Sequence, residues 1–360
     1  MEGLVKDSFW KNKKVLVTGH TGFKGSWLSI WLKKLQAEVI GFALKPHTVP
    51  SMFEVAQVSQ GITSIEGDIR NFDHIASVVN EYKPEIIFHL AAQPLVLRSY
   101  SDPLETYSTN VMGTANLFES VRLSEGVRVV INVTSDKCYD NRESNLGYRE
   151  IDPLGGFDPY SSSKGCSELI TSAYRNSFFN PEKYKEHGVA LASVRAGNII
   201  GGGDWSENRI VSDIMRAWFA KNTLAVRSPD AIRPWQHVLD PLLGYMILAQ
   251  NLWSGGSKFS DSWNFGSDAV DCKPVSWVVE KTAELWGGCP SWEIEDNSSF
   301  HETKVLKLDS TKAKKRLNWH SKWDLETTLN KTVNWFKCYK NNQNMQEVTL
   351  KQIEEHSIFK

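Results

Sequence analysis

A chain of 360 residues, 41% apolar and 23% charged with a formal net charge of −1, has the make-up of an ordinary globule and length enough for two domains. Its lysines and arginines are scattered, which excludes the concentrated basic face of a nucleic-acid binder. Five cysteines (138, 166, 272, 289 and 338) are dispersed, odd in number and without a CxxC pair, which argues against a disulfide framework or a structural metal and predicts a cytoplasmic setting. The opening MEGLVKDSFW has no secretory signal, and no later run reaches the ~18 apolar residues of a membrane span.

In chain order, KVLVTG (14–19) is a short apolar run ending in glycine, followed by WLSIWLKKL with apolar positions at helical spacing. That pattern predicts strand, tight turn, helix. It recurs through EVIGFAL (38–44), a helix near 74–82, EIIFHL (85–90), a helix over 110–122, VRVVINV (127–133), a helix over 161–178 and VALASVRAG (189–197). Strands alternating with helices predict a doubly wound parallel sheet of Rossmann type. From 198 onward Gly, Pro and Trp interrupt the pattern. The division expected is therefore a dinucleotide-binding domain over 1–197 and a smaller α/β substrate domain over 198–360, some of whose segments could return to the first. Most of the fourteen tryptophans are assigned to packing.

Between the first strand and helix stands TGHTGFKG. Gly19 suits the tight turn, Gly22 a close approach of backbone to a pyrophosphate, and Gly25 close helix–sheet packing, with Phe23 and Lys24 between them. The spacing is GxxGxxG rather than GxGxxG. EGDIR (66–70) places Asp68, with Ile69 beside it, where a carboxylate could accept an adenine amino group, and HLAA ends the fourth strand on Leu90, Ala91 and Ala92. No acidic residue closes the second strand; FALKP puts Lys45 there, which leaves NAD and NADP both open.

TSDKCY (134–139) crowds hydroxyls, a carboxylate and an ammonium at the tip of a buried strand, a costly arrangement unless the tip opens on a cleft or the groups pair. YSSSK puts Tyr160 and Lys164 four apart, on one helix face. A cation beside the phenol would favour phenolate and make it a usable base.

As an ordered set, TGHTGFKG, HLAA, TSDKCY, YSSSK and LDSTKAKKRLNW resemble the nucleotide-sugar 4,6-dehydratases of the extended short-chain dehydrogenase/reductase family. TGHTGFKGSWL, TSDKCYDN and AGNIIGGGDW are most similar to the branch acting on CDP-glucose. The resemblance implies NAD, a homodimer or homotetramer built on helices around 103–122 and 161–178, and a place in O-antigen-type deoxysugar (lipopolysaccharide) synthesis. Related dehydratases acting on dTDP-glucose or GDP-mannose carry glutamate where this chain has Lys137, and often glutamate in place of Gln93.

It implies further that Tyr160, with Lys164, takes the proton from the sugar 4-hydroxyl while Ser135 hydrogen-bonds that oxygen. Lys137 then removes the carbon-5 proton and Asp136 protonates the departing 6-hydroxyl, NAD holding the hydride between carbons 4 and 6. Arginine's planar fork suits the diphosphate, with Arg209 and Arg233 as candidates; by resemblance Asn198, Asn264, Gln93 and His301 also lie near the substrate. Nothing physical selects cytosine. A 4-epimerase or decarboxylating relative, which would lack the Asp136–Lys137 pair, and a non-catalytic dinucleotide sensor are the competing readings.

Overall fold

The computed structural model describes residues 7–143, 146–288, 291–295 and 305–358. Its centre is a seven-stranded sheet: β1 (Lys14–Thr18), β2 (Glu38–Ala43), β3 (Thr63–Glu66), β4 (Ile86–His89), β5 (Val129–Val133), β6 (Ala190–Ala196) and β10 (Ser262–Phe265). The order is β10-β6-β5-β4-β1-β2-β3, with every neighbouring pair parallel. β5 is buried along its whole length, as a strand covered on both faces must be. One apolar core carries Trp27, Trp31 and Trp263 on one side of the sheet, and a second carries Ile75, Leu117 and Phe118 on the other.

The covering helices include α1 (Phe23–Lys34), α2 (Phe72–Tyr82), α3 (Gly113–Arg122) and α4 (Pro159–Ser177). α4 starts sharply because Asp158 accepts from the Ser161 amide and Pro159 fits the first turn. The order reverses at β1, which lies between β2 and β4; in such sheets this is where a crevice opens at the strands' carboxyl ends.

Beyond 197 the chain forms β7 (Asn198–Ile200), α5 (Ile210–Phe219), β8 (Leu224–Val226), β9 (Ile232–His237) and α6 (Leu239–Gly255). β7 and β9 pair with a short strand at Cys272–Pro274 in a three-stranded sheet of their own. β10 does not stay with them: it returns to β6 and completes the main sheet. Segments of the lobe after β6, among them 197–201, 208–213 and 225–228, line that crevice, whereas its long helix α6 packs against β5 and β6.

Candidate active site

A single cavity of about 1020 Å³ runs along those strand ends, from the glycine turn to the arginines of the second lobe. The turn fits a bound dinucleotide. Gly19 has φ +76°, and a Cβ there would stand 2.7 Å from the Ala91 amide nitrogen. A Cβ on Gly25 would stand 2.2 Å from the Gly19 carbonyl oxygen, so the helix can start this close to the turn only with glycine. Gly22 precedes α1 with no side-chain cap, and its missing Cβ would meet protein only at 3.4 Å. The open face and the free N–H groups of the first turn suit a pyrophosphate.

Phe23, Lys24, Asp68, Ile69, Leu90, Ala91 and Ala92 line the same cavity. Asp68 does not cap the following helix, a role taken by Asn71. Arg70 grips its carboxylate at 2.6 Å and holds it below the usual range, so it stays ionised, an acceptor for an amino group. At the end of β2, Lys45 is exposed and stands 3.8 Å from Glu66 at the end of β3. Glu66 itself does not line the cavity, so the second strand has no carboxylate facing it from this pair.

At the tip of β5 the chain turns into one 3-10 turn over Asp136–Cys138. The Ser135 hydroxyl accepts from the Lys137 amide at 3.2 Å and donates to Asp136 Oδ1 at 2.9 Å. Asp136 is 4% exposed, and its Oδ2 has no hydrogen-bond partner among the described residues. Burial raises its pKa, against the pull of Lys137, Ser135 and Arg233. Lys137 is half-buried and faces the cavity. The flanks of the turn are anchored: Thr134 donates to Glu168 at 2.5 Å, and Arg195 donates to the Tyr139 hydroxyl at 2.6 Å. Cys138 and Tyr139 are buried packing residues, as expected.

Tyr160 and Lys164 rise from the first turns of α4 into the cavity. Burial pushes the phenol up to about 12, opposed first by the nearby Ser135 hydroxyl and then by the Arg209 guanidinium. Lys164, on the same helix face, donates to the Val133 carbonyl at 3.4 Å, and burial lowers it to about 8. Lys24 is lowered to about 7 by burial and by Arg209 and Lys164.

Arg209 is paired with Asp204 at 2.9 Å, and Arg233 on β9 stands beside Asp136; both line the cavity with Asn198 and Gln93. Gln93 is buried and braces the turn after β4, donating to Thr106 at 2.8 Å and accepting from the Leu95 amide at 2.6 Å. Asn264 corrects the expectation. It lies outside the cavity, fully buried, accepting from Tyr139 and donating to the carbonyls of Tyr148 and Asp309, so no polar atom is left for a substrate. His301 falls outside the described residues. Asp204 and Arg227, which also line the cavity, were not singled out; Asp204 stands in GGGDW, but nothing local marks Arg227.

The family model described as GDP-mannose 4,6 dehydratase matches residues 16–332. A CDP-glucose 4,6-dehydratase from Salmonella typhimurium is 51% identical over 353 residues, covering 98% of both chains. A UDP-glucose 4-epimerase from Mycolicibacterium smegmatis is 26% identical over 90% of this chain and 98% of its own. Among solved structures, a dTDP-glucose 4,6-dehydratase double mutant from Streptomyces venezuelae with NAD bound superposes with TM-score 0.78 at 21% identity, covering 92% of this chain and 99% of that one. A UDP-glucose 4-epimerase from Thermotoga maritima gives 0.77 at 20%, covering 91% and 99%. Both share the fold.

Proposed function

The chain belongs to the GDP-mannose 4,6-dehydratase family, within the extended short-chain dehydrogenases/reductases, and from that premise we propose that it removes water from CDP-glucose, with NAD bound, to give CDP-4-keto-6-deoxyglucose. One observation carries this reading. Ser135, Asp136, Lys137 and Tyr160 open on the same cavity as the glycine turn, so a base for oxidation and an acid with an amine for elimination share one chamber with the cofactor cradle. An epimerase has no task for Asp136 and Lys137, and a sensor has none for Tyr160.

Bound NAD, held by the glycine turn, Asp68 and the Leu90–Ala92 segment, would store the hydride from carbon 4 and give it back to carbon 6. Tyr160 takes the proton of the 4-hydroxyl, and Arg209 stabilises the phenolate that does so. The ketone acidifies carbon 5, whose proton passes to Lys137. Asp136, whose pKa burial raises, gives its proton to the departing 6-hydroxyl. Arg209 and Arg233 receive the diphosphate, and the lobe beyond 197, apart from β10, forms the sugar-nucleotide side.

A second copy of the chain is the partner that suits Leu104, Met112 and Leu169, apolar side chains 81%, 57% and 59% exposed on the helices of 103–122 and on α4. The described cysteines are free thiols and no described helix is long and apolar enough to cross a membrane, which supports work in the cytoplasm.

Incubation with CDP-glucose should yield a product lighter by one water, and deuterium placed on carbon 4 should reappear on carbon 6. Loss of that label to solvent, or a product of unchanged mass, would count against the reading.

A further inference from the structure

The loop after β7 is held from four sides. Trp27 on α1 donates its indole N–H to the Gly202 carbonyl at 2.9 Å, and a Cβ on Gly202 would collide with the Trp335 ring. Trp205 is buried edge-on against Trp335, Phe336 and Tyr339 of the helix Leu325–Lys340, and its carbonyl accepts from Arg216 on α5 at 2.6 Å. The Ser206 hydroxyl meets His47, on the loop after β2, at 3.3 Å. Elements of both lobes therefore fix the backbone that carries Asp204, which is 6% exposed.

Each oxygen of Asp204 is engaged within the protein: Oδ1 accepts from the Ser206 amide at 3.0 Å and Oδ2 from Arg209 Nη1 at 2.9 Å. Arg209 stands just before α5 and lines the cavity, its side chain 36% exposed. Beyond the bond to Asp204 its guanidinium makes no hydrogen bond among the described residues, so the rest of the fork is left for a ligand. An untethered arginine would have to be ordered as a diphosphate arrives, and that ordering subtracts from affinity, whereas one held through Nη1 is ordered beforehand. The charge of Asp204 does the opposite. A carboxylate this close to an anion's seat repels the anion, so its benefit to binding has to come through geometry.

We propose that Asp204 is a positioning residue for the substrate, tying down one arm of the Arg209 guanidinium so that the remaining N–H groups stand ready for the diphosphate. The proposal rests on the reading in which Arg209 receives that diphosphate, and it gives the carboxylate of GGGDW a task in binding without any contact of its own to the substrate.

The test is a double-mutant cycle of wild type, Asp204→Ala, Arg209→Leu and the double variant, read as CDP affinity of the NAD-loaded protein by titration calorimetry. Asp204→Ala should weaken CDP about tenfold and raise KM for CDP-glucose by a like factor, while in the Arg209→Leu background it should change CDP affinity by less than about twofold, as befits a residue acting through its partner. Asp204→Asn, which can still accept from Nη1, should fall between wild type and Asp204→Ala; it also carries the cycle should the alanine variant not fold. Equal weakening with and without Arg209 would assign Asp204 to support of the loop alone, and tighter CDP binding by Asp204→Ala would reduce the carboxylate to an offset of charge. Either result overturns the proposal. If wild type binds CDP but leaves CDP-glucose unchanged, the dehydratase reading fails and the cycle still decides the positioning; if wild type binds no CDP, the positioning fails as well.

Discussion

Arg195 and Glu168 meet 2.8 Å apart with both side chains 3% exposed, and between them they hold Tyr139 and Thr134, the residues on either side of the turn that carries Ser135, Asp136 and Lys137. The pair joins β6 to α4, so the turn is fixed to two elements of the main sheet layer at once. Removing one partner of a buried pair leaves the other charge without compensation. Arg195→Leu should therefore cost about 3–5 kcal/mol of stability, read as a lower midpoint in urea unfolding. Turnover should fall with it, since the turn loses an anchor; unchanged stability would show that the pair does not brace the site.

The glycine turn separates packing from binding. At Gly25 an added methyl collides with the Gly19 carbonyl at 2.2 Å, whereas at Gly22 it meets protein only at 3.4 Å and otherwise faces the cavity. Gly25→Ala should lose about 1–3 kcal/mol, as overpacked sites do, together with cofactor affinity. Gly22→Ala should keep its thermal midpoint and lose cofactor affinity alone. Thermal unfolding beside a dinucleotide titration distinguishes them, and equal behaviour of the two would argue against a phosphate seated over Gly22.

Lys137 faces the cavity next to Asp136. Lys137→Ala should leave oxidation at carbon 4 intact and slow elimination by roughly 10²–10⁴-fold, the usual worth of a positioned base. Stopped-flow absorbance should then show reduced nicotinamide accumulating while dehydrated product lags. Normal turnover in this variant would take the lysine out of the mechanism.

Arg209 lowers the pKa of the Tyr160 phenol, which burial pushes up to about 12. With Tyr160 as the proposed base, activity should rise with pH as the phenol ionises. Loss of the guanidinium raises that pKa, and Arg209→Leu should shift the ascending limb of the kcat profile to higher pH, with a higher KM as well if the proposed diphosphate contact is made. Arg209→Lys should retain much of the limb's position. A profile that keeps its shape in Arg209→Leu would assign the phenol's activation elsewhere.

The alternation of apolar runs and helical stretches was enough to predict the parallel sheet, because strands buried on both faces read as near-continuous apolar runs and VVINV, interrupted only by Asn132, does. The strand tip and the Tyr160–Lys164 spacing were equally legible, since both are local: four residues on a helix share a face, and a polar tip on a buried strand needs a cleft. Asn264 was misplaced because nothing in WNFG tells whether its amide meets a ligand or the carbonyls of Tyr148 and Asp309. The partner of Lys45, Glu66, arrives from another strand and could not be read from local spacing.

The sequence by itself determined the class of fold, the cradle for a dinucleotide and the set of acid, amine and phenol, all of which depend on residue type and short-range spacing. Only the tertiary structure decided which charge acts on which. It set Asp204 against Arg209, pointed the Ser135 hydroxyl at Asp136, and carried β10 back to the main sheet. Electrostatic and hydrogen-bond energies fall off within a few ångströms in space, and separation along the chain does not measure that distance.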